Sequence, residues 1–204
     1  DESALTSSLN PYIKLGPESV DTPQHRALAL EGAIQGQVLL KNEKGRLPLK
    51  ATSIKKLALI GPHANGTVIF LGGPNYHGLN KLIQHNTPLL RAQAKLPDAE
   101  VTYTLGCNVS GTSKKGFAAA TAAAAAADTV VLYLGLDSHQ ENEGLDRSSL
   151  ELPGQQKSLA LAVAAAAKSP VVIVLVNGGT ISLRELKESA QVGAILEGFM
   201  PGQF

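Results

Sequence analysis

Hydrophobic positions in this chain fall into short, uniformly apolar runs separated by alanine-rich or amphipathic stretches. KLALIG at 56–61, TVVLYLG at 129–135 and PVVIVLVN at 170–177 carry aliphatic and β-branched residues at successive positions, as strands buried on both faces do. EVTYT at 100–104 alternates, and residues 192–197 add a further strand. TVIFL at 67–71 fits either another strand or the start of a helix, and Gly72-Gly73-Pro74 ends it. Asp21-Thr22-Pro23 sets a capping side chain before a proline whose missing N–H is not needed in a first helical turn. Leu30, Ile34 and Val38 then recur at helical spacing, which predicts a helix to about Leu40. Thr87-Pro88 repeats that start ahead of a short helix at 89–96, and further helices are predicted over 114–127, 153–168 and 183–188. Residues 1–20, polar and punctuated by Asn10-Pro11 and Gly16-Pro17, read as an irregular linker before a domain at 21–204. Doubly buried strands alternating with helices predict an α/β fold: a three-layer α/β/α sandwich around a mostly parallel sheet.

Composition narrows the function classes. Of 204 residues, 44% are hydrophobic and 17% charged, enough apolar surface to fill a core. Lys and Arg number 18 against 17 acidic residues, a net charge of +1 with no basic block, so neither nucleic-acid binding nor electrostatic membrane attachment has support. No apolar stretch approaches the roughly 20 residues of a membrane-spanning helix. The opening DESALTSS has neither a basic nor an apolar signal-peptide region. Asn65-Gly66-Thr67 and Asn108-Val109-Ser110 are acceptor sequons for N-glycans, consistent with a secreted, extracellular or vacuolar protein. Cys107, the single cysteine, has no internal disulfide partner.

Ligands of open α/β sheets bind outside the carboxyl ends of the strands. The polar stretch after the strand at 129–135, GLDSHQENEGLDRSSLELPG, belongs there and carries Asp137, His139, Glu141, Glu143, Asp146, Arg147 and Glu151. Loops this long in compact domains are usually functional, although a solvated loop is also expected to be polar. Three chemistries compete for it. A metal site on Asp137, His139, Glu141 and Glu143 has the spacing of neither an EF-hand nor a zinc motif. A phosphate site needs a glycine-rich turn opening a helix, and Gly72-Gly73 and Gly178-Gly179 are too short. The third is a glutamate acting as general acid and base over a cleft, with Asp146 and Arg147 ordering the loop.

TPQHRALALEGAIQGQVLLKNEKGRLPL (22–49), LALIGPHANGTV (57–68), VVLYLGLDSHQENEGLDRSSLELPGQQ (130–156), PVVIVLVNGG (170–179) and AILEGFMPGQ (194–203) occur in an order that resembles the second domain of family 3 glycoside hydrolases, of the β-xylosidase and β-glucosidase type. The resemblance implies a sandwich packed against a (β/α)8 barrel that supplies the aspartate nucleophile. It also implies a loop that lends the acid/base glutamate of a retaining mechanism, with no cofactor and no metal. The E-G-x-D-R arrangement makes Glu143 the first candidate and Glu141 the second. Tyr76 in GGPNYHG is the best aromatic candidate for substrate contact, and packing is its alternative. The substrate expected is a terminal β-linked xylosyl or glucosyl residue of an oligosaccharide or glycoside. No residue of this chain matches the family nucleophile, so the alternative is a non-catalytic carbohydrate-binding or assembly module of the same fold.

Overall fold

The computed structural model describes residues 11–66, 86–142 and 144–200. They divide after Gly36 into two compact units. The first contains helix α1 (Pro23–Gln35), started as its sequence dictates: Thr22 accepts from the His25 N–H at 3.1 Å, Pro23 opens the first turn, and Arg26 closes on Asp21. Leu28, Leu30 and Ile34 on this helix are exposed.

The helix stops at Gln35 rather than running on to Leu40. Val38–Asn42 forms strand β1 instead, paired antiparallel to β6 (Val192–Glu197) with Val38 opposite Glu197 and Leu39 opposite Leu196. Gly32 and Gly36 weaken the helix just where a sheet edge offers a full ladder of backbone partners, so the sheet takes the segment.

The remaining strands are β2 (Lys56–Ile60), β3 (Glu100–Thr104), β4 (Thr129–Gly135) and β5 (Val171–Val176). The sheet order is β1-β6-β5-β4-β2-β3, parallel throughout except for β1. Helices α3 (Phe117–Ala126), α4 (Gln156–Ala166) and α5 (Arg184–Glu188) contribute to one core with Ile60, Leu132, Leu134 and Ile173. Helix α2 (Pro88–Lys95) packs on a second core with Leu57, Leu59, Val131 and Val172. Neighbouring residues of one strand thus serve opposite cores, which is why these strands read as unbroken apolar runs. The alanine-rich α3 buries Ala120 and Ala124 completely, and side chains that small let it lie close to α4.

Successive strands run from β2 outward to β3, then cross back to β4 on the other side of β2. Strand order reverses there, so the carboxyl ends of β2 and β4 open the crevice in which α/β sheets hold ligands. The polar loop predicted from sequence leaves from that point. The segment 67–71 and Tyr76 lie outside the described residues.

Candidate functional site

Gly135, the last residue of β4, fixes how the loop departs. Its φ is +148°, and a Cβ there would run into the Val176 backbone of the adjoining β5, so both conformation and space demand glycine. Its peptide groups are clamped by Gln156, a fully buried side chain at the start of α4. Gln156 Oε1 accepts from the Gly135 N–H at 2.8 Å, and Nε2 donates to the Gly135 and Val109 carbonyls, each at 2.8 Å.

Beyond Gly135 the loop turns on its own side chains. Asp137 Oδ1 accepts from the His139 N–H at 2.9 Å, and the Asp137 N–H donates to Gln140 Oε1 at 3.0 Å. His139 itself is largely exposed. Among the described residues, no three His, Cys, Asp or Glu side chains converge as a metal site would require.

Glu141 occupies the centre of the arrangement. Its Oε2 accepts from Arg147 Nε at 2.9 Å, and its Oε1 accepts from the Gly179 N–H in the turn after β5. Arg147 spreads its remaining nitrogens to the carbonyls of Ser149, at 3.0 Å, and Thr180, at 2.8 Å. The pair is mostly buried, with 12% of the Arg147 side chain and 24% of Glu141 exposed. The planar guanidinium thus joins the β4 loop to the β5 turn. Gly178 and Gly179 leave room for this: a Cβ on Gly179 would stand 2.5 Å from Glu141 Oε2 and 3.0 Å from Arg147 Nη2. Asp146 is exposed, and Glu143 lies outside the described residues.

Sequence reasoning passed over three buried polar side chains at the same end of the sheet. Asn177 follows β5, Glu197 ends β6, and His63 follows β2. Asn177 Nδ2 donates to the Gly179 carbonyl at 3.0 Å and to Glu197 Oε2 at 3.4 Å. Burial pushes the Glu197 carboxyl above its ordinary range, opposed by the Phe199 N–H and by Asn177. His63 is fully buried and neither ring nitrogen has a hydrogen-bond partner. Its burial lowers its pKa to about 4, against the opposing pull of the Asp137 carboxylate. The usable signal was a polar residue at the end of an apolar strand, where polarity is costly and therefore informative.

The two sequon asparagines are both exposed. Asn65 accepts a hydrogen bond from the Thr87 hydroxyl at 3.1 Å. Cys107 is a buried free thiol.

This fold and loop have known counterparts. Residues 37–204 match the family model of the glycosyl hydrolase family 3 C-terminal domain. Beta-D-xylosidase 3 of Arabidopsis thaliana is 43% identical over 192 residues, covering 94% of this chain and 24% of that protein. Among solved structures, a GH3 exo-beta-xylosidase in complex with a xylobiose aziridine activity-based probe superposes with a TM-score of 0.78 at 31% identity, over 97% of this chain and 25% of that one. A beta-glucosidase from Listeria innocua in complex with isofagomine gives 0.75 at 31% identity, over 95% and 26%. The chain belongs to glycosyl hydrolase family 3 and carries its C-terminal α/β domain. It spans about a quarter of the length of these relatives.

Proposed function

We propose that this domain supplies the general acid/base to a retaining β-glycosidase that removes terminal β-linked xylosyl residues, with glucosyl residues as the second substrate class. The nucleophile would come from a barrel outside this chain. In such a reaction one carboxylate attacks the anomeric carbon while the other protonates the leaving oxygen, and the second then deprotonates the incoming water. The observation that carries the reading is the acidic loop itself, which the Arg147–Glu141 pair and the Gly179 N–H hold in place at the carboxyl ends of β4 and β5, the edge where α/β sheets present their chemistry. Glu143 keeps first place on the E-G-x-D-R arrangement, and Glu141, both of whose oxygens are already engaged, remains the second candidate. A xylosyl substrate is favoured by the names of the curated relatives, Beta-D-xylosidase 3 of Arabidopsis thaliana at 43% identity among them.

Glu143→Gln and Glu141→Gln in the complete protein test the assignment. Loss of the acid slows hydrolysis far more for a xylobioside than for an activated aryl β-xyloside, because only the poor leaving group needs the proton. Wild-type turnover in both variants would sink it. Saturable oligosaccharide binding without turnover by the complete protein would establish a non-catalytic module instead. A secreted or vacuolar location goes with this reading, supported by the exposure of Asn65 and Asn108. Peptide mass spectrometry of the protein from its natural source should find glycans on one or both, and bare asparagines at both sites would remove that support.

A further inference from the structure

We infer that Asn177 and Glu197 are positioning residues for Glu141, acting through the Gly178-Gly179 turn. This rests on the reading that the loop carries catalytic carboxylates.

Asn177 and Glu197 are 2% and 9% exposed. The strands they follow and end are otherwise apolar, and burying an amide beside a carboxylate has a cost that a leucine or valine would avoid. The pair is not even fully satisfied: Asn177 Oδ1 is buried without a hydrogen-bond partner. Side chains retained only for stability rarely leave a buried acceptor unmade, so the pair is accounted for by what it holds.

What it holds is one peptide unit away from Glu141. Gly179 is gripped on both sides, its carbonyl accepting from Asn177 at 3.0 Å and its N–H donating to Glu141 Oε1. Glu197 accepts from Asn177 Nδ2 and from the Phe199 N–H, at 3.4 and 3.3 Å, and a carboxylate that only accepts keeps the amide turned with its NH2 toward the turn. The turn also touches the carboxylate directly. A Cβ on Gly178 would lie 3.0 Å from Glu141 Oε1, so nothing intervenes to absorb a displacement. A shift of the turn therefore becomes a shift of Glu141, and misplacements of about 1 Å at a reacting group cost about 10²-fold in rate.

The test is a double-mutant cycle in the complete protein, with chemical denaturation of every variant alongside. Asn177→Leu leaves the Gly179 carbonyl and the Glu197 carboxylate without their partner, so its unfolding midpoint is expected to fall below the wild-type value while the domain stays folded under assay conditions. Its kcat on a xylobioside should fall by about 10²-fold with KM nearly unchanged. Glu197→Leu should fall similarly, whereas Glu197→Gln, which keeps an acceptor, should retain most of the rate. In the cycle, Asn177→Leu added to Glu141→Gln should cost nothing further. Wild-type kcat in folded Asn177→Leu, or losses that add in the double variant, would overturn the inference. If Asn177→Leu does not fold, Glu197→Leu against Glu197→Gln decides in its place: equal rates for the two would overturn the positioning role. Glu141→Gln and Glu143→Gln run in parallel separate the failures. Wild-type rates in both refute the loop reading itself, while a loss in Glu141→Gln beside an unaffected Asn177→Leu refutes only the positioning.

Discussion

Arg147 and Glu141, six residues apart in one loop, are joined by a 2.9 Å Nε–Oε2 contact, and the same guanidinium reaches across to the Thr180 carbonyl after the neighbouring strand. One side chain thereby ties the loop after β4 to the turn after β5. The tie needs a planar, multidentate cation, because three acceptors from two segments share it.

Arg147→Ala should therefore destabilise the domain by about 2 kcal/mol, the scale of hydrogen bonds to a charged group in a mostly buried setting. Arg147→Lys should recover little, since a point charge cannot reach all three acceptors at once. Urea unfolding midpoints of the three proteins decide this. Wild-type stability in Arg147→Lys would show that charge, not the fork, holds the loops together.

Gln156 is the neutral counterpart of this tie. Gln156→Ala strands the Gly135 N–H and two carbonyls in a region closed to water, and a loss of about 3 kcal/mol is expected. The affected peptide unit begins the loop, so hydrogen exchange at Gly135 should accelerate more than at the centre of β2. Uniform acceleration along the sheet would contradict a local role for the clamp.

Two glycines at this end of the sheet should respond unequally to alanine. At Gly135 the added Cβ meets the Val176 backbone and φ is +148°, so Gly135→Ala should cost about 3 kcal/mol or more. At Gly179 the obstructing atoms are the ends of two side chains, Glu141 and Arg147, which can swing away. Gly179→Ala should thus displace Glu141 and cost no more than the Arg147–Glu141 tie itself, about 2 kcal/mol, which is less than the loss at Gly135. Denaturation curves combined with turnover of the complete protein read both effects. Equal losses of stability would mean that the turn is rigid on both sides.

The strands at 129–135 and 170–177 and the loop between them were legible because each relies on a local rule: doubly buried strands are apolar throughout, and a long charged insertion follows a strand end. Strand β1 was not legible. Ile34 and Val38 keep helical spacing across Gly36, while the competing antiparallel partner, β6, lies more than a hundred residues away in sequence. The loop was visible as a source of carboxylates, yet the geometry within it was not. That Glu141 is seated by Arg147 and by the Gly179 N–H depends on contacts between segments, which periodicity does not encode. Gln156, Asn177 and His63 were hidden for a related reason: each is a single polar residue in an apolar neighbourhood, and only burial distinguishes it from a solvated one.

Cys107 offers a simple probe of global opening. The thiol is 6% exposed and burial pushes its pKa up to about 11, so little thiolate exists at neutral pH and reagents have poor access. Alkylation by iodoacetamide should be slow in the native protein and rise with denaturant in parallel with unfolding. Rapid labelling under native conditions would show that the segment around residue 107 opens independently of the sheet.

His63 should make the domain acid-sensitive. Its ring is buried beside the loop, without hydrogen-bond partners, and its pKa falls from 6.5 to about 4 on folding. Between those values the unfolded chain binds a proton that the folded one does not, so stability rises with pH across that interval and is lost as pH falls through it. Below about pH 4 both states bind the proton and the effect saturates, leaving a total of about 3 kcal/mol. Acidic groups whose folded pKa is depressed, such as Asp128 with its N–H donors from Lys55 and Lys56, lose their contribution at lower pH. Glu197, whose carboxyl burial holds above its ordinary range, takes up its proton first in the folded state and works in the opposite sense at the lower end of this window, so the histidine's share is the part that His63→Leu removes. His63→Leu, a change of similar bulk, removes the titration and an unsatisfied polar ring together. It should flatten the dependence of unfolding free energy on pH in that window, measured by urea titrations at closely spaced pH values. An unchanged slope would mean that the ring is protonated in the folded state and that Asp137, rather than burial, governs it.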